Sequence, residues 1–303
     1  MYVNPYEAVS SNKGSWLKAN FHVHSSAEGN GRPLEPDEDV RLYKQAGYDV
    51  LTLSNHSNLT DTGALGEKYD ILTINGIEYI EYDGILCVGI KSFIKGEPQA
   101  VIDECARQGG FSVLCHPNLQ FENGMLPTIP RELSARLTGY TGIEILTPVV
   151  FKRFRGSGLA VDLWDEYLTA GKLVWAFAND DSHIYSDIDR AWNMIYSESR
   201  TYESIKVAVK RGSLYASTGL LLHHFSFVNG MLSLTAGYKH NQPENIRYSF
   251  HGANGRLLHE TTGKTGVFRP GSSEPYIRVQ AVSEQGASLW TQPVYEAASF
   301  KYV

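Results

Sequence analysis

From the N-terminus to about residue 218, short apolar runs alternate with amphipathic stretches. The runs Phe21–His24, Val50–Leu53, Ile71–Ile74, Ile85–Ile90, Phe111–Cys115, Ile143–Leu146 and Val174–Ala178 are near-continuous rather than alternating. That is the pattern of strands buried on both faces. Helical faces lie between them. Pro36, with acids in the turn after it, opens one that Gly47 closes. Pro98 opens a second, with Val101, Ile102, Cys105 and Ala106 on one face and Gly109-Gly110 at its end. Leu159, Leu163, Trp164, Tyr167 and Leu168 stripe a third up to Gly171, and Tyr202–Arg211 forms a fourth before Gly212. Repeated strand–helix alternation predicts a parallel sheet, and seven strands in so short a stretch favour barrel-like closure.

After Gly219 the period changes. Leu232–Ala236, Ile246–Phe250 and Ile277–Ser283 alternate strictly, with turn signals at Asn229-Gly230, Asn254-Gly255, Pro270-Gly271 and Gln285-Gly286. Short alternating strands with such punctuation predict a small antiparallel β-sandwich. The expected organisation is an α/β barrel over residues 1–218 and a β-sandwich over residues 219–303, meeting at a packed junction because no low-complexity linker separates them.

Composition narrows the class. With 42% hydrophobic and 20% charged residues over 303 positions, the chain can bury a sizeable core and is not disordered. Lys+Arg number 27 against 33 Asp+Glu, a net −6 without any basic tract, which argues against general nucleic-acid binding. No apolar run approaches the roughly 18 residues of a membrane span, and the first residues lack the features of a signal peptide. Cys87, Cys105 and Cys115 form no C-x-x-C and read as small hydrophobes of a reducing interior, so a cytoplasmic protein is expected. The common phosphate-loop, nucleophile-elbow and dinucleotide motifs are absent.

Histidine placement carries the chemistry. Of ten histidines, His22, His24, His56, His116 and His183 each fall at or just past the C-terminal end of a predicted strand, the edge where loops of an α/β fold converge. His22 and His24 share one side of their strand, and Asp181 and His183 are again two apart. Glu78 follows the third predicted strand. A lone strand-end histidine is ordinarily a hydrogen-bonded structural residue. Five at one edge, joined by two carboxylates, point instead to a metal centre for Zn²⁺, Mn²⁺ or Fe²⁺ rather than Ca²⁺ or Mg²⁺. Glu78 is placed to bridge two ions, and such pairs activate water and clamp a phosphoryl oxygen. His223, His224, His240, His251 and His259 show no ligand spacing and read as surface or strand residues of the sandwich.

His22-Val-His24-Ser, Ser54-Asn-His56-Ser, Gly76-Ile-Glu78, His116-Pro-Asn and Asp180-Asp-Ser-His183 resemble, in order, the motifs of the PHP (polymerase and histidinol phosphatase) family. The resemblance runs from about Asn4 to Ser217, and Arg211–Gly219 resembles the lead into a small C-terminal β domain found in one branch of that family. It implies a distorted seven-stranded β/α barrel with up to three divalent ions and phosphoesterase activity. It also implies one ion on His22, His24, Glu78 and Asp181, a second sharing Glu78 and taking His116, and a third on His56 and His183. Three departures weaken the second and third sites. Asn55 stands where the family has an aspartate. Asp83-Gly84-Ile85 stands where it often has a histidine. Glu28-Gly29-Asn30-Gly31 replaces its S-D-G, leaving Glu28, Asn30 or neither to fill that ligand position. One or two ions are expected rather than three.

The resulting expectation is a metal-dependent phosphoesterase acting on a small phosphorylated compound, with Asp181 or His183 taking or relaying a proton. Arg155, flanked by glycine in the loop Lys152–Gly158, is the candidate phosphate clamp, preferred over Lys152 and Arg153. Asn118 is placed either to contact substrate or to cap a turn. Glu144 is a candidate partner of a ligand histidine. Two other readings use the same residues. One is a C–N or C–O hydrolase, whose ions polarise a carbonyl; the other is a non-catalytic, metal-stabilised binding module.

Overall fold

All of the apolar runs but Phe21–His24 fold as strands, and the strands of this part of the chain sort into two sheets. One sheet contains, in spatial order, Leu214–Ser217, Trp192–Ser197, Ser15–Asn20, Val50–Leu51 and Leu72–Thr73. The other contains Trp175–Ala178, Gly142–Leu146, Phe111–Leu114, Ile85–Val88 and Gly76–Tyr79. The computed structural model describes residues 1–29, 33–81, 84–120, 129–240, 245–271 and 274–302. Asn30, Gly31 and Asp83, singled out above, lie outside the described residues. The mixed α/β class is as expected, but among the described residues strand pairing does not close a barrel. The two sheets are joined instead by isolated parallel bridges, Val23 to Ser182 and His56 to Glu78, at the edge that carries the histidines.

The sheets are also not wholly parallel. Ile85–Val88 runs antiparallel to both Gly76–Tyr79 and Phe111–Leu114. The link between Tyr79 and Ile85 is too short for the crossover of about a dozen residues that a parallel pair requires. Ser15–Asn20, Gly76–Tyr79, Trp192–Ser197 and Leu214–Ser217, none foreseen as a strand, complete the two sheets.

Helices cover them where the apolar stripes predicted: Pro36–Gln45, Pro98–Arg107, Val161–Thr169 and Tyr202–Arg211. Gly63–Tyr69 is an additional one. Gly212 ends the Tyr202–Arg211 helix in the left-handed region (φ +73°), and a Cβ there would meet the Trp175 ring at 2.7 Å. Only glycine suits both demands. Among the described residues no helix is long and apolar enough to cross a membrane.

Strand pairing continues across residue 218. Tyr215 pairs with Thr291 and Ser217 with Leu289, and Tyr2 pairs with Glu296. The strands Tyr276–Val282 and Ile246–His251 thereby extend the first sheet. A separate three-stranded antiparallel sheet, Leu221–Val228, Met231–Gly237 and Gly266–Phe268, covers them. Leu222, Phe225, Leu232 and Leu234 from one layer and Tyr248, Phe250, Val279 and Ala281 from the other share one hydrophobic cluster.

A buried ion pair ties these strands to the helices. Arg278 on Tyr276–Val282 donates to Asp165 on Val161–Thr169 through Nε at 2.7 Å and Nη2 at 2.5 Å, and Tyr276 Oη donates to the same carboxylate at 2.9 Å. The guanidinium also lies over the Trp164 ring, 5.4 Å from its centroid. Removing one partner leaves the other charge buried and uncompensated, which typically costs ~3–5 kcal/mol. Asp165→Ala is therefore expected to lower unfolding free energy by about that amount. Urea denaturation measures it, and a midpoint equal to that of the parent would contradict the assignment.

Candidate metal centre

The H-x-H segment is not a strand, although it continues one. Ser15–Asn20 stops at Asn20, and the next N–H groups leave the ladder for side chains. Phe21 N–H donates to Asn179 Oδ1 (3.0 Å), Val23 N–H to Ser54 Oγ (3.1 Å) and Ser25 N–H to Asn55 Oδ1 (2.8 Å). The extended alternation nonetheless persists. Phe21 and Val23 enter hydrophobic clusters, while His22 and His24 turn together to the other side. Asn55, standing where the family has an aspartate, thus orders the backbone beside His24.

The segment 179–183 approaches from the second sheet. Asp180 accepts from the N–H groups of Asp189, Arg190 and Ala191 and from Tyr43 Oη, all at 2.7–2.9 Å. That anchor fixes the turn in which Asp181 adopts φ +50°. His116 has φ +26° and Ser57, next to His56, φ +44°. Non-glycine residues seldom occupy this region, and such strain concentrates at functional sites.

These segments deliver the predicted side chains to one carboxylate. Glu78 Oε2 stands 3.2 Å from His22 Nε2, 3.2 Å from His24 Nε2 and 3.0 Å from His56 Nε2; Oε1 stands 3.0 Å from His116 Nε2. Asp181 Oδ1 lies 3.2 Å from His22 Nε2 and 2.9 Å from His24 Nε2. Ligands ~2.0–2.1 Å from a tetrahedral ion are roughly 3.4 Å apart, so this spacing suits one ion among His22, His24, Glu78 and Asp181. His22 Nε2 and His24 Nε2 are buried with no hydrogen-bond partner, and buried polar atoms in proteins are ordinarily satisfied. The donor set and the two orphaned nitrogens fit a divalent cation.

Electrostatics point the same way. Burial opposes a charged imidazole at His22, but Asp181, Glu144 and Glu78 outweigh it and hold the ring well above its usual value. Against burial, the neighbouring carboxylates of Asp181, Glu28 and Glu78 raise His24, and those of Glu28 and Glu78 push His56 up to about 10. Burial alone would raise Glu78 and Asp181; the imidazoles, His22 foremost, instead hold both below the usual carboxylate range. The cluster demands positive charge, which a divalent cation supplies while leaving the imidazoles neutral and ligating.

Two further carboxylates face the opposite ring nitrogens. Glu144 Oε1 lies 2.9 Å from His22 Nδ1, and Glu28 Oε1 lies 2.5 Å from His24 Nδ1. Glu28 also accepts from His56 N–H at 2.9 Å, with Oε2 3.3 Å from His56 Nδ1. Glu144, in the interior of Gly142–Leu146, additionally accepts from His116 N–H, Thr147 Oγ1 and Asn179 Nδ2. A carboxylate on Nδ1 fixes the tautomer that leaves Nε2 free for a metal.

The remaining candidates sit around this core. The His183 ring is 4.8 Å from that of His24, with Nδ1 2.6 Å from the Asp181 carbonyl. Asn118 donates to the Leu159 carbonyl (2.8 Å) and to Asp162 (2.9 Å) and accepts from Arg131, contacts with distant segments rather than a cap on its own turn. Lys152 and Arg153 pair with Asp187, which accepts from His183 N–H. Arg155 is exposed on a two-residue strand paired with Leu119–Gln120, the continuation of the His116 turn. His223, His224, His240 and His259 are exposed. Cys115, read from the sequence as core, has Sγ 3.7 Å from Glu78 Oε1. Its adjacency to His116 was the only available signal.

No family model matches the sequence, and no curated protein matches it. A solved two-domain protein from Bacteroides vulgatus, containing a predicted PHP-like metal-dependent phosphoesterase, is similar in structure, with a TM-score of 0.57 over 89% of this chain and 91% of that one. Sequence identity is 14%. An amidohydrolase from Chromobacterium violaceum, solved with sulfate and no metal, aligns at a TM-score of 0.37 and 14% identity over 55% of this chain and 87% of that one. The chain therefore has an α/β fold shared with a PHP-like two-domain protein. Within it, His22, His24, Glu78, His116 and Asp181 of the motifs quoted above fall into two buried groups of ligand atoms that share His22 and Glu78, and His56 joins a third with His24 and Glu28.

The outer carboxylates give a direct test. Glu144→Gln keeps the side chain's volume but removes its charge from His22 Nδ1, and loss of such a partner typically weakens metal binding ~10–100-fold. Competition with a chromophoric chelator measures it; affinity equal to that of the parent would refute the role.

Proposed function

We propose that this protein is a metal-dependent hydrolase that cleaves a small phosphorylated compound. The observation that carries the reading is the convergence of His22, His24, His56, His116 and Asp181 on the buried Glu78 carboxylate. His22, His24, Glu78 and Asp181 would hold the first ion. His116, with Glu78 shared, would serve a second, and His56 and His183 lie nearest a third. One or two divalent ions, zinc, manganese or iron, suit imidazole and carboxylate donors. A cation bound there acidifies water and polarises a phosphoryl oxygen.

The chain's own groups supply the rest. Glu144 and Glu28 keep His22 and His24 in the ligating tautomer. Asp181 or His183, adjoining through the turn that Asp180 anchors, would take or relay a proton. Lys152, Arg153 and Arg155 make the segment after Gly142–Leu146 cationic, and Arg155 is the residue assigned to the phosphate. The likeness to a protein described as a phosphoesterase favours this bond over an amide. Residues 1–218 would carry the catalytic site and residues 219–303 a supporting β module.

Metal analysis of protein purified without chelator comes first, followed by phosphomonoester, phosphodiester and amide substrates with each metal restored. Glu78→Ala is expected to abolish both metal uptake and turnover, a larger loss than the ~10–100-fold typical of an outer partner. Full activity in a metal-free variant would sink the proposal. Competitive inhibition by inorganic phosphate separates phosphoester from amide hydrolysis.

Arg155→Ala is expected to lower kcat/KM for the phosphoester about tenfold or more, the worth of a charge-assisted hydrogen bond, while leaving metal content unchanged. Steady-state kinetics on the metal-loaded variant decides it. An unaltered kcat/KM removes Arg155 from the site.

A further inference from the structure

Cys115 directly follows the strand Phe111–Leu114, and strict alternation would send its side chain and that of His116 to opposite faces. They do not separate. His116 adopts φ +26°, which breaks the extended geometry, and both side chains turn to the same oxygen. Cys115 Sγ stands 3.7 Å and His116 Nε2 3.0 Å from Glu78 Oε1. The thiol is buried at 4% exposure, and its sulfur lies within 4.8 Å of ligand atoms of His22, Glu78 and His116. In that group His22 Nε2 is buried without a hydrogen-bond partner. Glu78 is thus two-sided: Oε2 faces His22, His24 and His56, and Oε1 faces His116 and Cys115.

We propose that Cys115 is a thiolate ligand of a second metal position, held with His116 and Oε1 of Glu78. The proposal rests on reading the cluster as a metal centre. On binding, the S–H bond breaks, a metal–sulfur bond forms and the proton leaves to solvent, with no change of oxidation state. A sulfur donor among imidazole and carboxylate selects zinc or ferrous iron at that position over manganese or magnesium. It also gives the Oε1 side of Glu78 a ligand that no histidine pattern in the sequence reveals.

Cobalt(II) substitution of the full-length protein reads out sulfur ligation without reference to activity. Thiolate bound to cobalt gives a charge-transfer absorption in the near ultraviolet that imidazole and carboxylate do not. The band is expected to rise to saturation with added cobalt, to persist in Cys87→Ser and Cys105→Ser, and to be lost in Cys115→Ser. X-ray absorption of the zinc-loaded parent protein needs no variant and is expected to show a sulfur shell at ~2.3 Å; it decides the matter if Cys115→Ser does not fold. Bound cobalt without the band, a band that survives Cys115→Ser, or a zinc spectrum without sulfur overturns the ligand and leaves the metal centre standing. Failure to take up either metal overturns both.

Discussion

Burying the Glu78 carboxylate commits the surrounding fold to placing positive charge around it. Its side chain is 1% exposed, and an isolated carboxylate in that position would be costly. Four imidazoles close the gap from three separate segments, and each is held by something other than Glu78. Glu144 and Glu28 hold His22 and His24, Glu28 also holds His56, and Glu144 fixes the backbone of His116. The two sheets touch at this edge through the His56–Glu78 and Val23–Ser182 bridges. The charge cluster therefore does what closed strand pairing would otherwise do. A cation at its centre would remove repulsion among Glu78, Asp181, Glu28 and Glu144 and so strengthen the junction.

Much of this was legible in the sequence, and what was not has definite causes. Continuous apolar runs marked the buried strands, and glycines marked the ends of Pro36–Gln45, Pro98–Arg107 and Tyr202–Arg211, because both signals are local. The side chains that meet around Glu78 were legible in part because period two along an extended chain sends His22 and His24 to one side. Strand direction and closure depend on partners far away in sequence. Ser15–Asn20 pairs with Trp192–Ser197, and nothing in either segment announces the other. The segment Phe21–His24 reads as strand but is not one, since the N–H groups of Phe21 and Val23 are claimed by Asn179 and Ser54.

Two residues show the same limit at the site itself. Glu28, four residues beyond His24, was one of two options for a missing ligand. Only the 3₁₀ turn Ser26–Glu28 brings its carboxylate back onto the His24 and His56 rings. Cys115 read as a small hydrophobe because the three scattered cysteines form no C-x-x-C. That His116 joins it at the same Glu78 oxygen goes with the φ of +26° at His116, a property that no hydropathy pattern encodes.

The C-terminal strands bear on the centre through one helix. Asp162 and Asp165 stand three residues apart on Val161–Thr169, a spacing that puts them on neighbouring faces one turn apart. Asp165 is locked to Arg278 and Tyr276, while Asp162 accepts from Asn118 at the end of the His116 turn. Thr169, at the far end, accepts from Asn254 N–H through its hydroxyl at 2.7 Å. The helix is thus gripped by the β layers at two points and grips the His116 turn at a third. Because Asp165 and Arg278 are both buried, that grip resists the solvent screening that weakens exposed pairs such as Arg131–Asp162. Burial of one ion pair outside the centre in this way holds steady the loop on which one side of Glu78 depends.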